Sequence, residues 1–89
     1  MKKIDEKYLE ELSIIKASKH KQNIIDVLSK GNVMIPSEIG QELNLKTNHI
    51  SVNLKELKEM GVIECLNEDK TKGRLYCMTD KGTNIKEFL

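Results

Sequence analysis

Apolar residues along this chain recur every three to four positions over most of its length and give way to short extended runs in one region only. Ile4, Tyr8, Leu12 and Ile15 form the first series and predict an amphipathic helix over residues 1–17. Ile24, Val27 and Leu28 form the second, with Ser18 placed to cap it and Gly31 to close it. Ile39 and Leu43 stand four apart behind Pro36, a residue favoured at the first position of a helix. Ile50, Leu54 and Leu57 continue the spacing on a further helix, over about residues 47–60. Past Gly61, well placed to end that helix, the pattern becomes extended. Val62–Leu66 and Leu75–Met78 are rich in β-branched, aromatic and sulfur-bearing residues and predict two strands. Asn32-Val33-Met34 predicts a short third strand. From Thr79 to Leu89 the helical spacing returns, with Thr79 as N-cap and Ile85, Phe88 and Leu89 on the apolar side.

The stretch from Pro36 to Gly61 therefore reads as two short helices folded over a tight turn. Asn44 supplies that turn, because its short polar side chain tolerates positive φ better than most. Leu45 plugs the gap between the helices. Gly40 falls where the two would cross; a glycine inside a helix costs about 1 kcal/mol relative to alanine, so its presence implies close packing. This arrangement is a helix-turn-helix, and the hairpin behind it is a wing. Antiparallel pairing about the middle of the intervening loop puts Ile63 and Cys65 on the core face with Tyr76 and Met78, and turns Leu75 and Cys77 outward. The expected fold is mainly α with a small β-hairpin wing: a winged helix-turn-helix domain over residues 18–82. The amphipathic helix precedes it and a short helix, 83–89, follows.

Around the second helix of the motif, at 100° per residue, Asn48, Val52, Lys55 and Glu59 lie opposite the apolar side, flanked by Ser51, His49 and Glu56. No acid occurs from Lys46 to Asn53. Amide, hydroxyl, imidazole and ammonium groups of this kind read base edges and phosphates, which suits a recognition helix entering a major groove by its N-terminal half. Val52, apolar among polar neighbours, is suited to a thymine methyl. In the wing loop, residues 67–74, Lys70, Lys72 and Arg74 are candidates for phosphate or minor-groove contact, diluted by Glu68 and Asp69.

The net charge of +1 does not by itself announce nucleic acid, so any interface must localise its cations. Lys16, Lys19, His20 and Lys21 make a basic cluster that reads as a solvated face. With 89 residues, 38% hydrophobic and few aromatics, the chain makes one small domain whose core relies on Leu, Ile, Val and Met. No run reaches bilayer-spanning length. Met1-Lys2-Lys3 leads into Asp5, Glu6, Glu10 and Glu11 instead of an apolar segment, which makes a cytoplasmic protein the expectation. Cys65 and Cys77 fall on opposite faces of the hairpin and are expected to be unpaired thiols. Neither His20 nor His49 stands at ligand spacing with them, so no metal or other cofactor is expected. No arrangement suggests an activated nucleophile or an acid–base pair, and an enzyme is not expected. So small a core leaves the two terminal helices over. A homodimer built on them matches the two half-sites of a palindromic operator, while the other arrangement folds the first helix back on its own domain.

PSEIGQELNL, HISVNLKELKEMGVIECL and KGRLYCMTDKG stand in that order within a stretch from about Ala17 to Gly82, about three quarters of the chain. With them the chain resembles the small archaeal winged-helix transcriptional regulators related to the MarR and ArsR groups. The resemblance implies a dimeric regulator that binds double-stranded DNA and has no catalytic activity. By position it implies Lys46, Thr47, Asn48, His49, Ser51, Val52 and Asn53 as DNA-reading residues, Lys55 as a phosphate contact, and Lys72 and Arg74 in the wing. Relatives often carry serine or threonine where this chain has Lys46, which leaves Thr47 as the candidate cap. They often carry arginine or lysine where it has Val52. The metal-binding cysteine motifs of the ArsR group are absent, and a domain this short leaves little room for an effector pocket. The same fold also serves as a protein–protein interaction module, in which Val52 and Leu75 would belong to a protein interface.

Overall fold

In the computed structural model, which describes residues 6–89, a 3-10 turn (Glu6–Tyr8) leads into α1 (Leu9–Lys16) and then α2 (Lys19–Leu28). Ile4 lies outside the described residues. Ser18 caps α2 as expected, its hydroxyl accepting from the Lys21 N–H at 3.2 Å. Helix α3 (Pro36–Leu43) carries Pro36 at its first position, and the Glu38 carboxylate accepts from the Ile35 N–H at 3.0 Å. Helix α4 (Thr47–Glu59) follows. Lys46, not Thr47, stands at its N-cap, and no side chain caps it. Strands β1 (Ile63–Cys65) and β2 (Tyr76–Met78) and helix α5 (Asp80–Lys86) complete the chain. Thr79 caps α5, its hydroxyl accepting from the Gly82 N–H; the last helix thus starts three residues earlier than residue 83.

Both helices of the helix-turn-helix end by the same device. Asn44 takes φ 55° and Gly61 φ 78°, each a left-handed residue just past its helix. Behind α3, Leu45 N–H donates to Gly40 at 2.9 Å; behind α4, Val62 N–H donates to Leu57 at 3.2 Å and Gly61 N–H to Lys58 at 2.9 Å. These bonds satisfy the last carbonyls and turn the chain sharply, first into α4 and then into the wing. A Cβ on Gly40 would lie 3.0 Å from the Leu45 carbonyl oxygen, so the absence of a side chain there lets the turn fold under.

The strands pair antiparallel, with Ile63 opposite Met78, Glu64 opposite Cys77 and Cys65 opposite Tyr76. This is the register the alternation requires, and it puts the two cysteines on opposite faces. The expected third strand reduces to one bridge, Met34 to Tyr76, held by two backbone bonds of 3.1 and 2.9 Å. The cause is local: Ile35 is already the N-cap of α3, so the extended segment has no residue left for a ladder.

The core draws on every helix and both strands. Leu12, Ile15, Ile24, Ile25, Leu28, Ile39, Ile50, Leu54, Leu57, Val62, Ile63, Tyr76 and Ile85 form one buried cluster. Leu12, Ile15 and Ile85 belong to α1 and α5, which corrects the expectation that the terminal helices are left over. With Tyr76 the one aromatic among these buried residues, a core of small aliphatic side chains needs the terminal helices to close. What they leave exposed is narrower: Leu9, Ile14 and Leu89.

Lys81 ties these ends together. Its ammonium donates to Glu11 Oε1 and to the Met60 carbonyl, both at 2.7 Å, and lies 5.2 Å from the centre of the Tyr8 ring. The hydrogen bond from Lys81, helped by Glu11's own backbone N–H, holds the Glu11 carboxyl below the ordinary glutamate value against the opposing effect of burial. A carboxyl so depressed contributes stability above its unfolded value and loses it as pH falls through the folded one. The melting temperature of the native chain should therefore exceed that of Glu11→Gln at neutral pH. Thermal melts should show the gap closing as pH falls below about 4.

Candidate nucleic-acid interface

Ile50, Leu54 and Leu57 anchor α4 by full burial, each contributing about 1.5–3 kcal/mol. The 100° step then forces the residues between them outward. Thr47, Asn48, His49, Ser51, Val52 and Lys55 are all exposed, Val52 to 57%. The helix also starts with no side-chain cap and no acid in its first turn, so its N-terminal N–H groups and positive dipole end are open to an anion.

Asn53 is the exception among the residues expected to read DNA. It is buried, its amide donating to the His49 carbonyl at 2.7 Å and accepting from Lys21 Nζ at 3.0 Å. Its position explains this, since three residues past Ile50 and four before Leu57 is the apolar side of the helix. Lys21 is likewise buried, not solvated, and also pairs with Glu56 at 3.0 Å. Beside it, the rings of His20 and His49 lie 5.6 Å apart, tilted by 45°.

The wing is a built structure. Asn67 Oδ1 accepts from the Leu75 N–H at 2.7 Å, and its amide donates to Gly73 at 3.2 Å, which closes the base of the loop. Arg74, expected to contact phosphate, is half-buried, its guanidinium donating to the carbonyls of Lys70 at 2.6 Å and Glu68 at 3.2 Å. Lys58 of α4 pairs with Glu68 of the wing, which raises the Lys58 pKa and lowers that of Glu68. The wing is thereby moored to α4. Among the described residues no ion pair engages Lys46, Lys55, Lys70 or Lys72, and all four are exposed.

Between α4 and the wing runs an open groove of about 740 Å³, lined by Ile35, Pro36 and Ser37 at the start of α3, by Thr47, Ser51, Leu54, Lys55, Lys58 and Glu59 of α4, and by Thr71, Lys72, Gly73, Arg74 and Tyr76. It brings Thr47, Ser51, Lys55, Lys72 and Arg74 of the expected site together. Lys46, Asn48, His49, Val52 and Lys70 lie outside its lining. Lys58 and Ser37 are lining residues that the sequence reading did not single out. Lys58 was detectable in principle, three residues past Lys55 on the same helix face.

Both thiols are unpaired and half-buried. Burial, followed by the hydrogen bond to Glu64, pushes the Cys77 thiol up, away from the reactive thiolate. Among the described residues no group of three or more His, Cys, Asp or Glu side chains is placed to hold a metal ion, and no helix is long and apolar enough to cross a membrane.

This geometry is that of a winged helix-turn-helix. No protein-family model matches the sequence, and no characterised protein matches it significantly. Solved structures do match by shape. A MarR family transcription regulator superposes with a TM-score of 0.70 at 22% identity, over 91% of this chain and 62% of its own. The reduced form of MarR from E. coli gives 0.71 at 23%, over 88% and 58%. A mutant E. coli MarR complexed with operator DNA gives 0.72 at 22%, over 89% and 57%. The chain thus has the MarR-like winged-helix fold and spans about three fifths of the length of these proteins.

Proposed function

We propose that this chain is a sequence-specific transcription regulator of double-stranded DNA, acting as a homodimer in the cytoplasm and without catalytic activity. In this reading the N-terminal half of α4 lies in the major groove and the wing on the backbone or minor groove. The observation that carries it is the groove between α4 and the wing. It is open and bordered by Lys55, Lys58, Lys72 and Arg74, with Glu59 the one acid in its lining, a cation-rich setting that suits a phosphate strand. The uncapped start of α4 adds a second phosphate seat at its end. Thr47, Asn48, His49, Ser51 and Val52 then face the bases, Lys46 and Lys55 the backbone. A mutant E. coli MarR of the same fold is complexed with operator DNA, which supports the reading. The exposed Leu9 and Ile14 of α1 and Leu89, just past α5, support the homodimer, since a two-fold contact there would cover them. Sedimentation showing only monomer at micromolar concentration would rule that assembly out.

Fluorescence anisotropy with a labelled duplex from upstream of the chain's own coding sequence tests the rest, at two salt concentrations and with an unrelated duplex as competitor. Binding that resists the competitor and weakens steeply with salt is expected. Replacing Lys70 and Lys72 together with alanine should lower the log–log salt slope by about two, at about 0.9 per phosphate. Arg74 is left out of that variant because its bonds hold the loop. No binding at low salt would transfer the assignment to a protein-interaction module centred on Val52.

A further inference from the structure

The two polar side chains that are buried among the described residues lie against each other. Lys21 of α2 is 6% exposed and Asn53 of α4 is 8% exposed. The Lys21 ammonium reaches Asn53 Oδ1 and Glu56 Oε2, each at 3.0 Å, while Asn53 passes a hydrogen bond back to the His49 carbonyl at 2.7 Å. A buried ammonium adds little net stability even when paired, and an apolar side chain of similar volume often serves as well. Burial of Ile50, Leu54 and Leu57 already holds α4 in place, but that attraction is non-directional and tolerates small rotations of the helix about its axis. Hydrogen bonds do not, because they weaken steeply with angle. The bonds from Lys21 reach α4 at Asn53 and Glu56, and through Asn53 the backbone at His49, so they span two turns of the same helix.

We infer that Lys21 is a positioning residue: with Asn53 and Glu56 it fixes the axial rotation and register of α4, and so determines how well the chain tells one base sequence from another. This rests on the DNA reading above. Base contacts demand aligned donors and acceptors, whereas phosphate contacts are governed by charge. The brace therefore acts on discrimination and leaves the electrostatic part of affinity alone.

The test uses the full chain. A duplex is first selected by the native protein from a randomised library. The double variant Lys21→Met/Asn53→Leu, which leaves no unpaired buried polar group between the helices, is then compared with the native chain. The expected result is a melting temperature equal or higher and a salt slope unchanged. The ratio of affinities for the selected and an unrelated duplex should fall about tenfold or more, the worth of a lost base contact. Glu56→Gln, at a half-exposed position, should lower the ratio about threefold and serves if the double variant does not fold. An unchanged ratio in a folded variant overturns the inference. So does a parallel fall of both affinities with the melting temperature, which would make Lys21 an ordinary structural residue. A native chain that selects no duplex removes the DNA reading itself, an outcome visible before any variant is made.

Discussion

Gly82→Ala is expected to cost about 3 kcal/mol or more of folding stability, the upper range for overpacking a tight site. Gly82 lies in the first turn of α5, where its N–H donates to Thr79 Oγ1 at 3.1 Å. A Cβ built on it would fall deep inside the van der Waals radius of the Val62 carbonyl oxygen and 3.0 Å from both Val62 C and Met78 Cε. Met78 can swing away, but Val62 cannot. Its carbonyl accepts from the Thr79 N–H at 3.2 Å, and its fully buried side chain sits where α4 hands the chain to β1. Room for one methyl group would require α5 to lift off the hairpin. In a domain of this size the loss corresponds to a melting temperature lower by roughly 12 °C or more. Circular dichroism melts measure it directly, and a variant that melts within a few degrees of the native chain would contradict this packing.

The second large effect concerns binding. Ser51→Glu should leave the fold intact, because Ser51 is exposed and glutamate forms helix at least as readily as serine. The new carboxylate would stand in the groove between α4 and the wing, against the DNA proposed to lie there. Like charges brought together at an interface cost several kcal/mol, and each 1.4 kcal/mol is a factor of ten. Affinity for the selected duplex should fall about a hundredfold or more. An unchanged affinity with an unchanged melt would exclude this groove as the contact.

Features governed by local rules were legible in the sequence. Asn44 and Gly61 announce their turns because few residues tolerate positive φ, and Thr79 and Ser18 announce helix starts because their hydroxyls fit no better role. The hairpin register followed from period-two alternation, since a slip of one residue would have exposed Ile63 and Tyr76. Features that depend on what a side chain meets across the fold were not. Arg74 carries the same charge whether it faces solvent or, as here, the carbonyls of its own loop. The groove exists only because the wing folds back beside α4. Lys21 and Asn53 lie between these cases. Each sits three or four positions from buried residues of its own helix, Lys21 from Ile24 and Ile25, Asn53 from Ile50 and Leu57. A polar residue on an apolar stripe must find a partner, and two such residues on neighbouring helices can find each other. The terminal helices were illegible for a different reason. Their docking depends on how much aliphatic volume the core still lacks, a quantity no single segment reveals.

The ammonium of Lys81 joins α1 through Glu11, the C-terminal end of α4 through the Met60 carbonyl, and its own helix α5. One pin thus passes through three levers. Losing that one ammonium would release all three segments at once.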